Sequence, residues 1–245
     1  MAQSSQNFVG QKETPFARDS VLKDEVVDKL NEALTFKYNT VHILDSAAAY
    51  FGSDNVGLCG IAWYFKVASV AEKADAYKVV EFLNSRGAPV KWGKVCEPPS
   101  CSEWSKKGKD CTVIVKKAFE KQLAIEKVGL ECELKLSKLA MENNDSHTCH
   151  FIGCCTEMKA KKVHCLSGIV AHLKSVEGCH HAIKDFDREL ECKVECCAKA
   201  AGVEAVICCR LQMGVCKRLW LTESFMPSWK FIEEKVHGTA GGLDV

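Results

Sequence analysis

The sequence has almost no net charge: among its 245 residues, 33 lysines and arginines stand against 32 aspartates and glutamates. This balance gives no indication of a nucleic-acid or membrane partner, which an excess of basic residues would favour. No apolar run approaches the roughly 20 residues that a membrane-spanning helix needs. The first residues, MAQSSQNFVGQKETPF, lack the basic-then-apolar order of a signal peptide. We therefore expect a soluble, cytoplasmic protein.

Two common functional motifs are also absent. No glycine-rich loop with Gly-Lys-Ser or Gly-Lys-Thr occurs, so nothing predicts a nucleoside triphosphate site. No C-x-x-C pair occurs either, although the chain has 16 cysteines. Two pairs share a helix face, His150 with Cys154 and Cys192 with Cys196. Metal binding by these pairs is therefore one interpretation. We interpret the cysteines instead as free thiols in the core or near subunit contacts, because the chain is neither short nor visibly secreted.

Helical periodicity is abundant, whereas strand-like alternation is almost absent. Apolar residues that recur every three to four positions predict four long helices, at about 21–50, 55–83, 113–141 and 147–176. The turns within each pair of helices are short, and the connection between the pairs is long enough to cross a bundle. The predicted fold class is therefore all-α, a four-helix bundle with one long crossover. We expect the domains to be a flexible segment at 1–20, a bundle at 21–190 and an apolar, helical C-terminal extension at 191–245.

Charged residues interrupt the predicted buried stripes near the middle of three helices. Lys37 lies on the first stripe, Glu72 and Asp75 on the second, and Glu126 on the third. The apolar members of the third stripe are Phe119, Leu123, Leu130, Leu134 and Met141. The fourth helix has two candidate inward faces, Phe151/Cys155/Met158 and Ile152/Ala160/Val163/Val170. Antiparallel packing would place the charged residues in one layer, where unpaired carboxylates are costly and need a cation. That cation is either a metal ion or Lys37.

Five segments, taken in order, resemble a ferritin subunit over residues 25–190. They are SAAAYFGSDNVGLCGIAWYF (46–65), NSRGAPV (84–90), AFEKQLAIEK (118–127), KLAMENNDSHTCHFI (138–152) and KDFDREL (184–190). The resemblance implies a ferritin-like bundle with a short fifth helix near the last segment. It also implies an assembly of about 24 subunits around an internal cavity.

A ferritin heavy-type subunit oxidises Fe(II) at a di-iron site, and the resemblance implies where its ligands fall in this chain. The first-helix Glu falls on Lys37, the second-helix Glu pair on Ala71 and Glu72, the His on Asp75, the third-helix Glu on Glu126 and the fourth-helix Gln on Ala160. The acidic funnel that admits iron corresponds to the segment after Cys149, with His150 and Gly153 in place of acids. The mineral-nucleating acids of the second helix correspond to Ala71, Ala74 and Tyr77.

An ammonium group among three carboxylates supplies the positive charge that iron would otherwise supply, and it repels an incoming divalent cation. We therefore interpret Glu72, Asp75 and Glu126 as the remnant of a di-iron site, with Lys37 paired to Glu72 and Asp75. The alternative is that Lys37 extends away from the layer and leaves the three carboxylates free for one weakly held metal.

Residues 191–245 are rich in apolar and aromatic side chains, so we expect this extension to be buried, inside the cage. A ferritin relative with an altered iron site and such an extension resembles artemin-type ferritin homologues. That resemblance implies an ATP-independent chaperone cage for unfolding client proteins, without efficient ferroxidase activity, and neither a catalytic residue nor a cofactor is expected. RNA protection is also implied, but the sequence does not indicate RNA binding. The alternatives are a divergent ferritin that binds and stores iron, and a purely structural cage.

Overall fold

The computed structural model describes residues 22–98, 104 and 110–200, with side chains described as far as residue 192. Within these residues the chain forms five helices and no strand, which confirms the all-α prediction. The helices are α1 (Asp24–Phe51), α2 (Cys59–Ser85), α3 (Cys111–Glu142), α4 (Ser146–Ser175) and α5 (His180–Ala200). None of the described helices combines the length and the apolar character that crossing a membrane requires. The predicted segment 1–20 and most of the predicted extension lie outside the described residues.

The helices pair as the short turns predict, α1 with α2 and α3 with α4. Aspartate side chains cap the second pair: Asp110 accepts a hydrogen bond from the backbone N–H of Thr112, and Asp145 accepts one from Thr148. Such caps satisfy N–H groups that have no partner within the helix. They mark where α3 and α4 begin.

The fifth helix packs against the start of α2. The N–H of Ile61 donates a 2.8 Å hydrogen bond to Oδ1 of Asp187. A Cβ atom at Gly60 would lie 1.9 Å from the backbone oxygen of Asp187, so only glycine permits this approach. The resemblance implied a short fifth helix near residues 184–190, followed by a helical extension, and the observed helix spans 21 residues and continues to Ala200. The predicted boundary between bundle and extension therefore falls within a continuous helix.

The core is divided into two apolar clusters. One, the α5-side cluster, is built around Phe51, Phe65, Phe119, Leu166 and Phe186. The other, the far cluster, is built around Leu30, Leu34, Leu83, Leu136 and Ile152. On each of the four long helices, the residues between these two clusters include charged side chains. The apolar clusters thus enclose a charged layer in the middle of the bundle.

Two predicted members of the third stripe are wrong. Leu134 and Met141 are exposed, whereas Glu133, Leu136 and Ala140 are buried. The buried face continues from Glu126 through Gly129 to Glu133, one residue before Leu134. The apolar pattern therefore predicted the wrong residues for the buried face of α3, because the middle of that face is polar.

Candidate functional site

Seven charged side chains meet in the middle of the bundle, and we call them the ionic layer. They are Lys37 from α1, Glu72 and Asp75 from α2, Glu126 and Glu133 from α3, and Lys159 and Lys162 from α4. Spacings of three residues on α2 and α4, and of seven on α3, keep each pair on one helix face. Every long helix therefore contributes charge to the same layer.

Glu72 lies at the centre of this layer. Its Oε1 atom is 3.4 Å from Nζ of Lys37 and 3.5 Å from Nζ of Lys159. Its Oε2 atom is 3.3 Å from Nζ of Lys162. Only 1% of the Glu72 side chain is exposed, so water does not replace these contacts. One carboxylate thus accepts hydrogen bonds from three ammonium groups that arrive from two different helices.

Each of the three lysines also contacts a second carboxylate. Lys159 donates a 2.8 Å hydrogen bond to Glu126. Lys162 donates to Asp75 at 3.2 Å, and Lys37 lies 3.5 Å from Glu133. Asp75 is at the edge of the layer, where Lys78 of the same helix approaches it at 2.8 Å. These pairs complete a continuous network of alternating charge.

The network keeps its central members ionised. Burial by itself would raise the pKa of the Glu72 carboxyl, but Lys37, Lys159 and Lys162 outweigh burial and hold that pKa well below its usual value. The same balance lowers the pKa of Asp75 to about 2, through Lys162 first and then Lys37. Burial also disfavours the ammonium groups, yet the neighbouring carboxylates raise the pKa of Lys37 and of Lys162. At neutral pH these four groups are therefore charged.

Glu133 differs from the other carboxylates of the layer. Burial raises its pKa, and the attraction of Lys37 only partly offsets this effect. Its Oε2 atom is buried and has no hydrogen-bond partner among the described residues. The layer contains four carboxylates but three lysines, so Glu133 is the acid with the weakest compensation.

A glycine makes room for one of the ammonium groups. Gly129 lies between Glu126 and Glu133 on the buried face of α3. A Cβ atom at this position would come within 3.1 Å of Nζ of Lys159 and of a ring carbon of Phe36. Lys159 therefore reaches Glu126 through space that a larger residue would fill.

The structure brings together most of the residues that the sequence predicted for this site. Lys37, Glu72, Asp75 and Glu126 all lie in the ionic layer, and Lys37 contacts Glu72 as predicted. Its predicted pairing with Asp75 is replaced, since the ion pairs of Asp75 are with Lys162 and Lys78. The side chain of Lys37 is 6% exposed and points between two carboxylates, contrary to the alternative in which it extends away.

The remaining predicted residues lie outside the layer. Ala71 is buried beside Glu72, but Ala160 is exposed on the surface of α4 instead of facing the site. Cys149 is half-buried, and His150 and Gly153 are exposed. A Cβ atom at Gly153 would meet no other atom within 4 Å. The surface positions are compatible with a channel between subunits, which remains a prediction.

Sequence reasoning missed Glu133, Lys159 and Lys162. The available signal was positional, because Lys159 and Lys162 follow Ile152 and precede Leu166 at helical spacing on the inward face of α4. Lysines are usually solvated, so the search for apolar stripes passed over them. A search for cations able to balance Glu72, Asp75 and Glu126 would have found them.

The ionic layer is poorly suited to bind a pair of iron ions. A divalent metal would need carboxylate oxygens at about 2 Å, and it would have to displace ammonium groups that already neutralise those oxygens. The three ammonium groups repel any such ion at short range, and burial leaves this repulsion largely unscreened. The arrangement stabilises charge within the bundle but offers no open coordination position.

Comparison with known proteins identifies similar chains. The family model for the ferritin-like domain matches residues 27–176. Ferritin-1, chloroplastic, of Nicotiana tabacum is 34% identical over 170 residues, which are 68% of this chain and 64% of the relative. Ferritin-3, chloroplastic, of Glycine max and ferritin-4, chloroplastic, of Arabidopsis thaliana are also 34% identical over 170 residues, covering 63% and 62% of those relatives. The match thus spans somewhat less than two thirds of the length of these relatives. Because the family match covers more than half of its residues, the chain belongs to the ferritin family.

Proposed function

We propose that the chain is a subunit of a ferritin-type iron-storage cage that does not itself oxidise iron in the bundle. The observation that carries this proposal is the contact of three lysine Nζ atoms with Glu72, at 3.3 to 3.5 Å. These lysines occupy the region where the family resemblance places a di-iron site. The comparisons favour iron storage over a chaperone role, because the similar proteins are named ferritins.

The ionic layer explains how a ferritin-type bundle persists without bound iron at its centre. Carboxylates buried between two apolar clusters require compensating charge, and a removable metal would leave them unpaired whenever it departed. Covalently attached lysine ammonium groups provide that charge permanently. The substrate Fe(II) would therefore be oxidised outside the bundle, by oxygen in solution, and this chain would form the shell that retains it.

The assembly is proposed to be a homo-oligomer of about 24 subunits with cytoplasmic residence. Family membership and the five described helices support the shell, since these helices build the subunit wall in the related fold. Light scattering of the purified protein should give a particle of roughly 24 chains. A stable monomer or dimer would contradict the proposed cage.

A chaperone cage is the second candidate function. It is supported by the apolar and aromatic sequence of residues 198–229, which lie outside the residues whose side chains are described. Such a segment offers apolar surface for unfolding clients. Removal of residues 198–245 tests it: a cage that assembles and protects a heated client as well as the full chain would exclude the segment as the binding surface.

Iron oxidation tests the main proposal. The assembled protein is mixed with Fe(II) and oxygen, and the loss of Fe(II) is followed with the absorbance of any diferric species. We expect a rate close to that of buffer alone, and the same rate for Ala160→Gln, because residue 160 is exposed and a glutamine there cannot reach the layer. Rapid oxidation of two Fe(II) per chain would overturn the proposal.

Iron retention separates storage from the other cage functions. After slow oxidation, the protein is passed through a size-exclusion column, and iron is measured in the cage fraction. Iron that elutes with the particle in excess of a few ions per chain supports storage. Iron absent from the particle, together with protection of a heated client, would favour the chaperone function.

A further inference from the structure

Three side chains of metal-ligand type meet away from the ionic layer, where α3 and α5 begin. Asp110 caps α3, Cys111 is the first residue of α3, and His180 is the first residue of α5. Sγ of Cys111 lies 3.2 Å from Nδ1 of His180, and Nε2 of the same ring lies 3.5 Å from Oδ1 of Asp110. One ligand atom from each residue lies within 4.8 Å of the others.

We propose that Asp110, Cys111 and His180 form a binding site for one Zn²⁺ ion per chain. Zinc sites use Cys sulfur at about 2.3 Å, His nitrogen at about 2.0–2.1 Å and carboxylate oxygen at about 2.0–2.2 Å. A tetrahedral ion with those bond lengths separates sulfur from nitrogen by roughly 3.5 Å. The observed 3.2 Å between Sγ of Cys111 and Nδ1 of His180 is therefore close to the separation that zinc needs. Asp110 lies beside the opposite ring nitrogen, Nε2, so its carboxylate has to turn towards Nδ1 and Sγ to complete the site.

The chemistry of the set favours zinc over the hard cations. One thiol, one imidazole and one carboxylate suit an ion of intermediate softness, whereas Ca²⁺ and Mg²⁺ prefer oxygen ligands alone. Binding replaces the S–H bond of Cys111 with a Zn–S bond and releases one proton to solvent. The resulting thiolate and the Asp110 carboxylate then balance the two positive charges of the ion.

The exposure of the site allows the ion to enter and to keep a water ligand. The side chain of His180 is 60% exposed, and that of Asp110 is 34% exposed. Three protein ligands with one position open to solvent is a common coordination for zinc. Asp110 also accepts the N–H of Thr112 as its helix cap, and this hydrogen bond orients the carboxylate.

A metal here would reinforce contacts that already hold the turn before α5 to the start of α3. The N–H of Gly178 donates a 3.0 Å hydrogen bond to the hydroxyl oxygen of Thr112. Lys116 and Glu177 form a 2.6 Å ion pair beside it. Zinc would therefore tie the first residue of α5 to Asp110 and Cys111 at the start of α3, and stabilise the docking of the fifth helix.

Zinc binding to the full-length assembled protein tests the proposal. The metal-stripped protein is titrated with Zn²⁺ against a chromophoric chelator, and Co²⁺ is used to detect the thiolate–metal absorption band. Cys111→Ser and His180→Ala remove ligands, and Cys132→Ser is the matched control because Cys132 is an exposed thiol on the same helix. The comparison between variants removes the contribution of the other cysteines.

We expect the two ligand variants to lose one Zn²⁺ per chain relative to Cys132→Ser, with loss of the corresponding part of the Co²⁺–thiolate band. Zinc should raise the unfolding temperature of the control variant more than that of Cys111→Ser. Equal zinc stoichiometry and affinity in all three variants would overturn the proposal and leave only a surface contact of these side chains. If His180→Ala does not assemble, absence of the band in wild-type protein at one Co²⁺ per chain would overturn it independently.

Discussion

Two substitutions that remove the same charge from the same layer should differ strongly in their effect on stability. Glu72→Gln leaves Lys37, Lys159 and Lys162 without their shared carboxylate, although each retains one further acid. Removing one partner of a buried ion pair costs about 3–5 kcal/mol. Because every lysine keeps a second partner, we expect Glu72→Gln to lower the free energy of unfolding by about 3 kcal/mol per chain, the lower end of this range.

Glu133→Gln is the matched substitution. Burial raises the pKa of the Glu133 carboxyl, and the lysines do not reverse this as they do for Glu72 and Asp75. Ionisation of Glu133 therefore lowers the free energy of unfolding as the pH rises through its folded pKa. Replacing it with an amide retains an oxygen for Lys37 and leaves three carboxylates facing three lysines. We expect the free energy of unfolding of Glu133→Gln to lie within about 1 kcal/mol of the wild-type value at pH 7.

Guanidinium unfolding of the assembled variants, at one protein concentration and followed by tryptophan fluorescence and circular dichroism, measures the difference. If only the number of charges mattered, the two variants would be equally stable. Glu72→Gln that is as stable as Glu133→Gln, or more stable than wild type, would refute the conclusion that Glu72 organises the layer.

Three further results are expected. Asp75→Asn should lower the free energy of unfolding by roughly 2 kcal/mol at pH 7, because the folded pKa of Asp75 is about 2 against an ordinary 3.8. This difference from wild type should shrink as the pH falls from about 4 towards 2. A difference that does not change with pH in unfolding experiments would contradict the prediction. Lys37→Glu with Asp75→His should not restore rapid Fe(II) oxidation, since Lys159 and Lys162 remain beside Glu72; rapid oxidation in a stopped-flow assay would show that Lys37 alone blocks the site. Gly129→Ala should lower the unfolding midpoint by crowding the Lys159 ammonium group, and an unchanged midpoint would mean that the group moves aside freely.

Much of the fold follows from the sequence because long helices must bury an apolar face. The prediction for α4 at 147–176 agrees with Ser146–Ser175 to within one residue, and that for α2 errs mainly at its start, where Cys59 follows a turn. The third stripe was misplaced because its buried face is polar at Glu126 and Glu133, so Leu134 offered a better apolar match on the wrong side.

The candidate site was predictable in part. Lys37, Glu72 and Glu126 stand out as charges within apolar stripes, and that pattern led to the correct layer. Lys159 and Lys162 do not stand out, because a lysine on a helix is ordinarily solvated and only the packed bundle shows that these two are buried.

The spacing of Cys, His and Asp residues along the sequence does not predict the proposed zinc site. Cys111 and His180 are 69 residues apart in the chain, so no local motif connects them. They meet because α5 begins where α3 begins, which is a property of the tertiary fold. Asp110 and Cys111 are adjacent residues of metal-ligand type, but without His180 the pair does not indicate a metal site.

The central claim is that lysine ammonium groups stand where a ferritin-type bundle would hold iron. The most direct test is a crystal structure of the assembled protein soaked anaerobically in Fe(II), with anomalous scattering recorded at the iron edge. We predict no iron peak among Glu72, Glu126 and Asp75, with Nζ of Lys159 remaining within hydrogen-bond distance of Glu126. An iron peak at coordination distance from Glu72 and Glu126, with Lys159 turned away, would contradict the claim.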